Sequence, residues 1–419
     1  MSAPFVRLVI GAVALGSCLH GVPASAEEKA SGPQAPSARS SETEDKMAPT
    51  GKRDLVVPAW VGSGEPTNAQ EIPMNDYDYL ARWLDTHAKA ADDYVIELFA
   101  RHDVVILGEF HHLREHKEFV IELIPRLYQE ACVRVIGWEF SRHSDNSRLE
   151  AITTAPEYDR EAALQFARDQ VAHEWNSKEH WDIIEAVWRL NSTLEPGQEK
   201  MRLVGLDMDL DMPRVQISLK TLSQDSPEFK ELLSQVLKRD GVMAEQVEKE
   251  IIEKNQKGLV FVGRCHDFTH YEFPPEVNLG REIMGRLLYK KHDDRVFQVW
   301  LSGEQFLRPI EGVMALRKHK RVGFDLYRSP FANVMTPEHW SDAPGVPLQK
   351  VARGYVYLGP RAHLHKNTPI NGFVTEEMFM RHKRYYEIDF GRKFQNAEEV
   401  DKYLQMHRFP DPQRHKKAK

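Results

Sequence analysis

The clearest fold pattern in this sequence lies in VVILGEFHHLREHKEFVIELIPRLYQEACVRVIGWEF, residues Val104–Phe140. It opens with the short apolar run Val104–Leu107 and closes with a second run, Val133–Trp138, and a helical pattern over Glu118–Glu130 lies between them. A strand, a helix and a second strand in this order are typical of a βαβ unit, whose two strands lie parallel. The stretch therefore predicts an α/β fold.

The same alternation continues along the chain. Further apolar runs predict strands at Met201–Leu206, Leu259–Val262, Val296–Leu301 and Gly354–Leu358. Helical patterns between the runs cover Glu161–Val171, Glu179–Leu190 and Ala244–Lys257. We therefore expect one α/β domain over residues 75–400, with a mainly parallel sheet flanked by helices.

Polar residues follow each of the first four apolar runs. GEFH, Gly108–His111, follows the first run, Glu139 the second, Asp207 the third, and GRCH, Gly263–His266, the fourth. The carboxyl ends of parallel strands meet at one edge of a sheet, and open α/β folds bind their ligands there. We therefore expect these side chains to share one site.

The two GxxH motifs place His111 and His266 as a pair, with Glu109 and Glu139 as site carboxylates. A glycine at the end of each strand allows a sharp turn and keeps side-chain bulk away from the site. Two imidazoles with carboxylates suit a divalent metal such as Mn²⁺ or Zn²⁺, or a metal-free acid and base pair. The metal ligands would be His111, His266, Glu139 and Asp207. Capping of a helix N-terminus is the competing role for the carboxylates.

At these residues the sequence resembles the Tiki/ChaN superfamily, which includes erythromycin-esterase-like proteins. Val104–Phe140 is similar to that family's opening strand, GxxH loop, helix and second strand ending in Glu. LVFVGRCHDF, Leu259–Phe268, is similar to its second GxxH strand, and MRLVGLDMD, Met201–Asp209, to its middle strand ending in an acid. No resemblance extends beyond Gly303.

The resemblance implies an α/β fold with a shared pocket, paired site histidines at His111 and His266, and site carboxylates at Glu109 and Glu139. Proteins of this kind include metal-dependent peptidases, esterases that use His and Glu, and haem-binding lipoproteins of iron uptake. The sequence departs from the pattern in its consecutive histidines, His111 and His112, and in its second motif, which holds Cys265.

Two functions stay open, beside a third alternative in which the chain is a degenerate family member with a structural role. The first is a hydrolase of peptides or esters, either metal-dependent or using His and Glu alone. The second is a haem- or iron-binding uptake protein without catalysis, in which His111 or His266 is an axial ligand. Cys265 beside His266 also suggests a Cys/His nucleophile, although neighbours in sequence usually point apart. His363 and His365 could bind haem or metal, but a solvated surface pair is the commoner arrangement.

The N-terminus has the pattern of a signal peptide over residues 1–26: basic Arg7, the apolar run Leu8–Leu15, and small residues ending at Ala26. Leu15–Cys18 also resembles a lipoprotein box, in which Cys18 would be acylated and the chain attached to a membrane. We therefore expect an exported protein, either periplasmic or an outer-membrane lipoprotein.

The remaining features concern the flanking segments and the partners. The composition of residues 27–74 predicts a disordered linker, and residues 401–419 a basic tail. The net charge of −7 gives no electrostatic case for nucleic acid, so we expect a small molecule, a peptide or haem as partner. Cleavage after Ala26 would leave Cys132 and Cys265, and the sequence leaves open whether they pair.

Overall fold

The computed structural model describes residues 76–170, 176–273, 280–303, 307–337 and 343–407. The expected signal peptide, the lipidation site Cys18 and the expected linker lie outside these ranges, as does the chain from residue 408 onward. Within the described ranges, every helix is too short or too polar to cross a lipid bilayer.

In the part of the chain that the structure describes, eight strands form one sheet. In chain order they are β1 (Lys89–Ala90), β2 (Val104–Glu109), β3 (Val133–Arg142), β4 (Arg202–Asp207), β5 (Lys257–Gly263), β6 (Val296–Leu301), β7 (Val322–Asp325) and β8 (Gly354–Tyr357). Their order across the sheet is β1-β7-β8-β6-β2-β5-β3-β4. All neighbours from β8 to β4 are parallel, whereas β7 runs antiparallel to β1 and to β8. The structure therefore confirms the mainly parallel α/β fold.

Helices connect and flank these strands. In chain order they are α1 (Tyr77–His87), α2 (Ala91–Leu98), α3 (Arg114–Gln129), α4 (Asn146–Thr153), α5 (Arg160–Gln170), α6 (Lys178–Ser192), α7 (Met212–Thr221), α8 (Pro227–Leu237), α9 (Arg239–Val247), α10 (Met284–His292), α11 (Arg308–Leu316), α12 (Leu348–Val351), α13 (Glu376–Phe390) and α14 (Ala397–His407).

Alternating side chains of β2 belong to two separate cores. Val105 and Leu107 join the core that includes buried residues of α3 and α6, whereas Val104 and Ile106 join the core that includes residues of α9 and α10. Successive residues of a strand point to opposite faces, so helices cover both faces of the sheet. This three-layer arrangement leaves the carboxyl ends of the strands to carry polar groups.

Some element bounds differ from the sequence-based ones. Strand β3 does not end at Trp138 but continues to Arg142, because buried Phe140 extends the alternation beyond the polar Glu139. Helix α9 begins at Arg239, earlier than its apolar pattern indicates. The boundary expected at residue 400 falls inside α14, which ends at His407. Cys132 is exposed and Cys265 is buried, and the two do not form a disulfide.

Candidate functional site

Four adjacent strands, β2, β5, β3 and β4, bring the predicted polar residues to one edge of the sheet. Glu109 ends β2, Asp207 ends β4, and Glu139 lies near the end of β3. Gly263 ends β5 and leads into the single turn Arg264–His266. The structure thus brings both GxxH motifs together at the edge where the sequence analysis expected a site.

Glu139 lies between the two histidines. Its Oε1 is 3.8 Å from Nε2 of His111, and its Oε2 is 3.8 Å from Nε2 of His266. Its Oε2 also accepts a hydrogen bond from the backbone N–H of Gly263 at 2.5 Å. The side chains of His111, His266 and Glu139 are 4%, 0% and 0% exposed. Two imidazoles therefore face opposite oxygens of a single buried carboxylate.

His111 is oriented by Glu109. Its Nδ1 is hydrogen-bonded to Oε1 of Glu109, and since a carboxylate only accepts, Nδ1 carries the proton. Nε2 is the ring nitrogen that faces Glu139. Burial alone would lower the pKa of His111, but the Glu109 and Glu139 carboxylates outweigh it and raise that pKa.

His266 is oriented in the same way by a second carboxylate, Asp240. Nδ1 of His266 lies 2.8 Å from Oδ1 of Asp240, which also accepts the Met284 N–H at 3.0 Å. Oδ2 of Asp240 accepts from Nε of Arg281 at 3.2 Å. Burial would lower the pKa of His266, yet the adjacent Asp240 charge, helped by Glu139, raises it to about 10. The two neighbouring carboxylates therefore favour the protonated form of the His266 ring.

Arg239 links the centre of the site to Asp207. Its Nε and Nη2 donate to the two oxygens of Asp207 at 2.7 and 2.9 Å. Its Nη2 is 3.5 Å from Oε1 of Glu139, and its Nη1 is 3.4 Å from Nε2 of His266. Asp207, expected as a metal ligand, thus contacts a guanidinium with both oxygens.

The residues at this edge do not form the expected metal site. Among the described residues, no three His, Cys, Asp or Glu side chains form a group that could hold a metal ion. The Arg239 guanidinium also places a fixed positive charge beside Glu139 and His266, and a divalent cation there would be repelled. The set His111, His266, Glu139 and Asp207 therefore does not fit a divalent metal.

Haem would need access to an imidazole nitrogen. Axial ligation requires Nε2 of a histidine to project toward the face of a porphyrin. The side chains of His111 and His266 are only 4% and 0% exposed, so the surrounding residues would have to move before either could bind iron or contact a substrate.

The charges of the buried cluster nearly cancel. Its carboxylates are Glu109, Glu139, Asp207 and Asp240, and its basic side chains are Lys117, Arg239 and Arg281. Four negative and three positive charges leave one negative charge. A proton on one of the two imidazoles neutralises the cluster, which agrees with the raised pKa of His266. Glu109 and Glu139 also raise the pKa of His111, so this second imidazole can act as a base only in its neutral form.

The glycine of the second motif is required by close packing. A Cβ at Gly263 would lie 2.6 Å from Cε1 and 2.8 Å from Nε2 of His111, and 3.3 Å from Oε2 of Glu139. Real Cβ atoms do not approach so closely, so any side chain at position 263 would displace His111. This is the absence of bulk that the motif predicts.

Three other residues considered from the sequence, His363, His365 and Cys265, belong to neither of the two histidine–carboxylate pairs. His363 and His365 are exposed, and Nδ1 of His365 is 2.7 Å from Oε1 of Glu115, as expected of a solvated surface pair. Cys265 packs in an apolar cluster, and its side chain also hydrogen-bonds the guanidinium of Arg281.

The sequence analysis did not identify Asp240, Arg239, Lys117 or Arg281. Asp240 and Arg239 are the first two residues of α9, and Lys117 lies in α3. A charged residue at the start of a helix is ordinarily solvated or a capping group, and nothing in its neighbours shows that it turns toward the sheet. The one available signal was that two oppositely charged residues, Arg239 and Asp240, are adjacent at the start of the same helix.

Comparison with known proteins identifies no family. No family model matches the chain, and no curated protein matches it. Solved structures do resemble it at low identity. A protein from Bacillus cereus is 14% identical, with a TM-score of 0.49, over 67% of this chain and 97% of its own.

Two further solved structures are those of proteins related to the groups named by the resemblance. ChaN of Campylobacter jejuni, in a structure of cofacial haem binding, is 18% identical over 50% of this chain and 85% of its own, with a TM-score of 0.34. A mutant of the erythromycin esterase EreC in its open conformation is 13% identical over 63% of this chain and 92% of its own, with a TM-score of 0.40. The structural neighbours thus include both kinds of protein, and none of them assigns a role to a residue of this chain.

Proposed function

We propose that this protein hydrolyses esters or peptides by acid–base catalysis with His111 and His266, without a resident metal. The observation that supports this most is the placement of both Nε2 atoms 3.8 Å from opposite oxygens of Glu139. Each imidazole is also held through Nδ1 by its own carboxylate, Glu109 or Asp240. A carboxylate bound to Nδ1 fixes the tautomer and orientation of a catalytic histidine.

The two histidines differ in the role their surroundings favour. Hydrolysis needs a base to take a proton from the attacking water and an acid to protonate the leaving oxygen or nitrogen. His266 has its pKa raised to about 10 and would donate from Nε2. His111 would accept the water proton at Nε2 when it is neutral. Water adds its oxygen to the carbonyl carbon, and the bond to the leaving group breaks as His266 protonates that group.

Arg239 supplies positive charge where the reaction builds negative charge. The tetrahedral intermediate of acyl transfer carries an oxyanion, which a fixed donor in a buried site stabilises strongly. Nη1 of Arg239 is 3.4 Å from Nε2 of His266, and Asp207 holds Nε and Nη2 of the same guanidinium. The side chain is 3% exposed, so its charge is only weakly screened.

A substrate panel with one substitution tests this function. Purified protein, dialysed against a chelator, would be assayed with p-nitrophenyl esters and peptide amides of varied acyl groups. Glu139→Gln keeps the shape and removes the shared charge, and we expect it to lower kcat/KM by about 10²- to 10⁴-fold. Glu122→Gln is the control, because Glu122 pairs with Arg321 at the surface.

The same panel separates this function from its alternatives. Glu139→Gln with wild-type kcat/KM, or hydrolysis that disappears with the chelator and returns with Mn²⁺ or Zn²⁺, would refute the metal-free mechanism. A red protein with a Soret band and no hydrolysis would support haem binding instead.

We also propose that the protein is exported, which the N-terminal pattern Arg7, Leu8–Leu15 and Ala24–Ala26 supports. Mass spectrometry of membrane and periplasmic fractions tests it. A chain beginning at acylated Cys18 would support a lipoprotein, and a chain beginning at Glu27 a soluble periplasmic protein. A cellular chain that retains Met1 would refute both.

A further inference from the structure

Lys117 is a fully buried cation surrounded by oxygen atoms of the first GxxH loop. Its side chain is 0% exposed. Its Nζ donates to one carboxylate oxygen and three backbone carbonyls: Oε2 of Glu109 at 2.5 Å, and the oxygens of Phe110 at 3.0 Å, His111 at 2.8 Å and Leu113 at 3.1 Å. Four acceptors therefore converge on one ammonium group.

This convergence compensates the burial of a charge. An ammonium has three protons and accepts nothing, and removing it from water is costly unless every proton finds an acceptor. The three carbonyls belong to residues 110, 111 and 113, so the loop turns its backbone oxygens toward one point. The shape of the loop that carries His111 thus fits an internal cation, which α3 provides.

The carboxylate of Glu109 joins this cation to the histidine. Its Oε2 accepts from Lys117, and its Oε1 is hydrogen-bonded to Nδ1 of His111. Burial alone would raise the pKa of Glu109, but the charges of Lys117 and His111 hold it well below its usual range. Without the ammonium, the carboxylate would have His111 as its main counter-charge.

We propose that Lys117 is a positioning residue for the hydrolytic reaction: it keeps Glu109 and the GEFH loop in place and limits how strongly His111 holds a proton. This inference rests on the proposed function, because it assigns His111 the role of base. Lys117 itself does not reach Nε2 of His111, and it acts through Glu109.

Other titratable groups packed around Lys117 do not compete for this role. Nδ1 of His116 accepts the Phe110 N–H at 2.9 Å and its Nε2 donates to the Ser302 carbonyl at 2.8 Å, which fixes a neutral ring. Burial, with Lys117, lowers the pKa of His116 to about 4. The same causes lower the pKa of His180 well below its usual value. Burial lowers the pKa of Lys117 itself, and among the carboxylates that oppose this effect Glu109 acts more strongly than Glu179 and Glu115.

The test is the titration of His111 in protein with isotopically labelled histidine, followed by NMR in wild type and Lys117→Met. Methionine keeps an unbranched side chain and removes the charge. The variant should titrate His111 at a pH higher by about 1 or more, because Glu109 then has the imidazole as its main counter-charge. Lys254→Met is the control, since the exposed Lys254 pairs with Glu250 far from the GEFH loop in sequence and should leave His111 unchanged.

An unchanged His111 titration in folded Lys117→Met would overturn the proposal. If that variant does not fold, Lys117→Met/Glu109→Gln removes both charges together and leaves neither buried alone. We expect the double variant to be more stable than the single one, and to titrate His111 at a lower pH than wild type. A double variant no more stable than the single one would also overturn the proposal. These readouts need no substrate, so their failure is distinguishable from an absence of hydrolysis.

Discussion

Replacing Asp240 with asparagine removes the charge that keeps His266 protonated. Asp240 accepts from Nδ1 of His266 at 2.8 Å, from the Met284 N–H at 3.0 Å and from Nε of Arg281 at 3.2 Å. Asparagine can accept through one oxygen only, and its amide group would face a donor. We therefore expect the variant to lose the imidazolium of His266 at neutral pH and part of its stability.

The magnitude follows from the pKa of His266, about 10 against an ordinary value of 6.5. At about 1.4 kcal/mol for each pKa unit, this difference corresponds to about 5 kcal/mol in favour of the charged ring. Loss of one partner of a buried ion pair costs about 3 to 5 kcal/mol. Asp240→Asn should therefore lower the free energy of unfolding by about 3 to 5 kcal/mol at pH 6.

The pH dependence has a defined sign. The pKa of His266 is higher in the folded than in the unfolded chain, so its contribution is fully present below pH 6.5. That contribution is lost as the pH rises from 6.5 through about 10. The stability difference between wild type and Asp240→Asn should therefore be largest at pH 6 and much smaller at pH 10.

Urea unfolding at pH 6, 8 and 10, with NMR titration of His266, measures both effects. Asp169→Asn is the control, because Asp169 pairs with Arg148 near the surface and should have a small, pH-independent effect. A stability difference for Asp240→Asn that is the same at pH 6 and pH 10, or a wild-type His266 that titrates near 6.5, would refute the reasoning.

Three further substitutions test the packing and charge of the site. Gly263→Ala should abolish most hydrolysis in a folded protein, since its Cβ would lie 2.6 Å from Cε1 of His111, whereas Gly241→Ala meets no atom within 4 Å and should be neutral in the same assay. Arg239→Met leaves Asp207 and Glu139 without their counter-charge and should cost about 3 to 5 kcal/mol in urea unfolding. Asp267 is buried and its carboxyl oxygens have no hydrogen-bond partner among the described residues, so burial raises its pKa well above the usual value. The folded chain must keep this carboxyl protonated, whereas the unfolded chain ionises it above pH 3.8, so the group lowers the free energy of unfolding more as the pH rises. The stability of Asp267→Asn relative to wild type should therefore be greater at pH 8 than at pH 5, and an equal difference at the two pH values would contradict this.

The sheet and the edge that carries the site were predictable because their signals are local. Each apolar run is followed directly by its polar residue, and parallel pairing brings those residues together whatever the order of the strands. Glu139 does not directly follow the end of its strand as predicted. Strand β3 extends past it to Arg142, because Phe140 is buried although its neighbour is charged.

The partners that orient the histidines were not predictable from the chain alone. Asp240 reaches His266 from α9, 26 positions earlier, and Lys117 reaches Glu109 from α3. Charged residues of amphipathic helices usually lie on the solvated face, so the sequence gives no sign that these two are buried. The poor fit of the described residues to a metal was not predictable for a related reason. The guanidinium of Arg239 comes from a helix that begins earlier than the sequence pattern indicates.

Ester hydrolysis by chelator-dialysed wild type, His111→Ala, His266→Ala and the double variant tests the central claim most directly. We expect dialysed, colourless wild type to be active, each single variant to lose about 10²-fold or more in kcat/KM, and the double variant to lose little beyond the worse single one. Single variants that keep wild-type activity, or losses that multiply in the double variant, would contradict the conclusion that the two histidines act as one site.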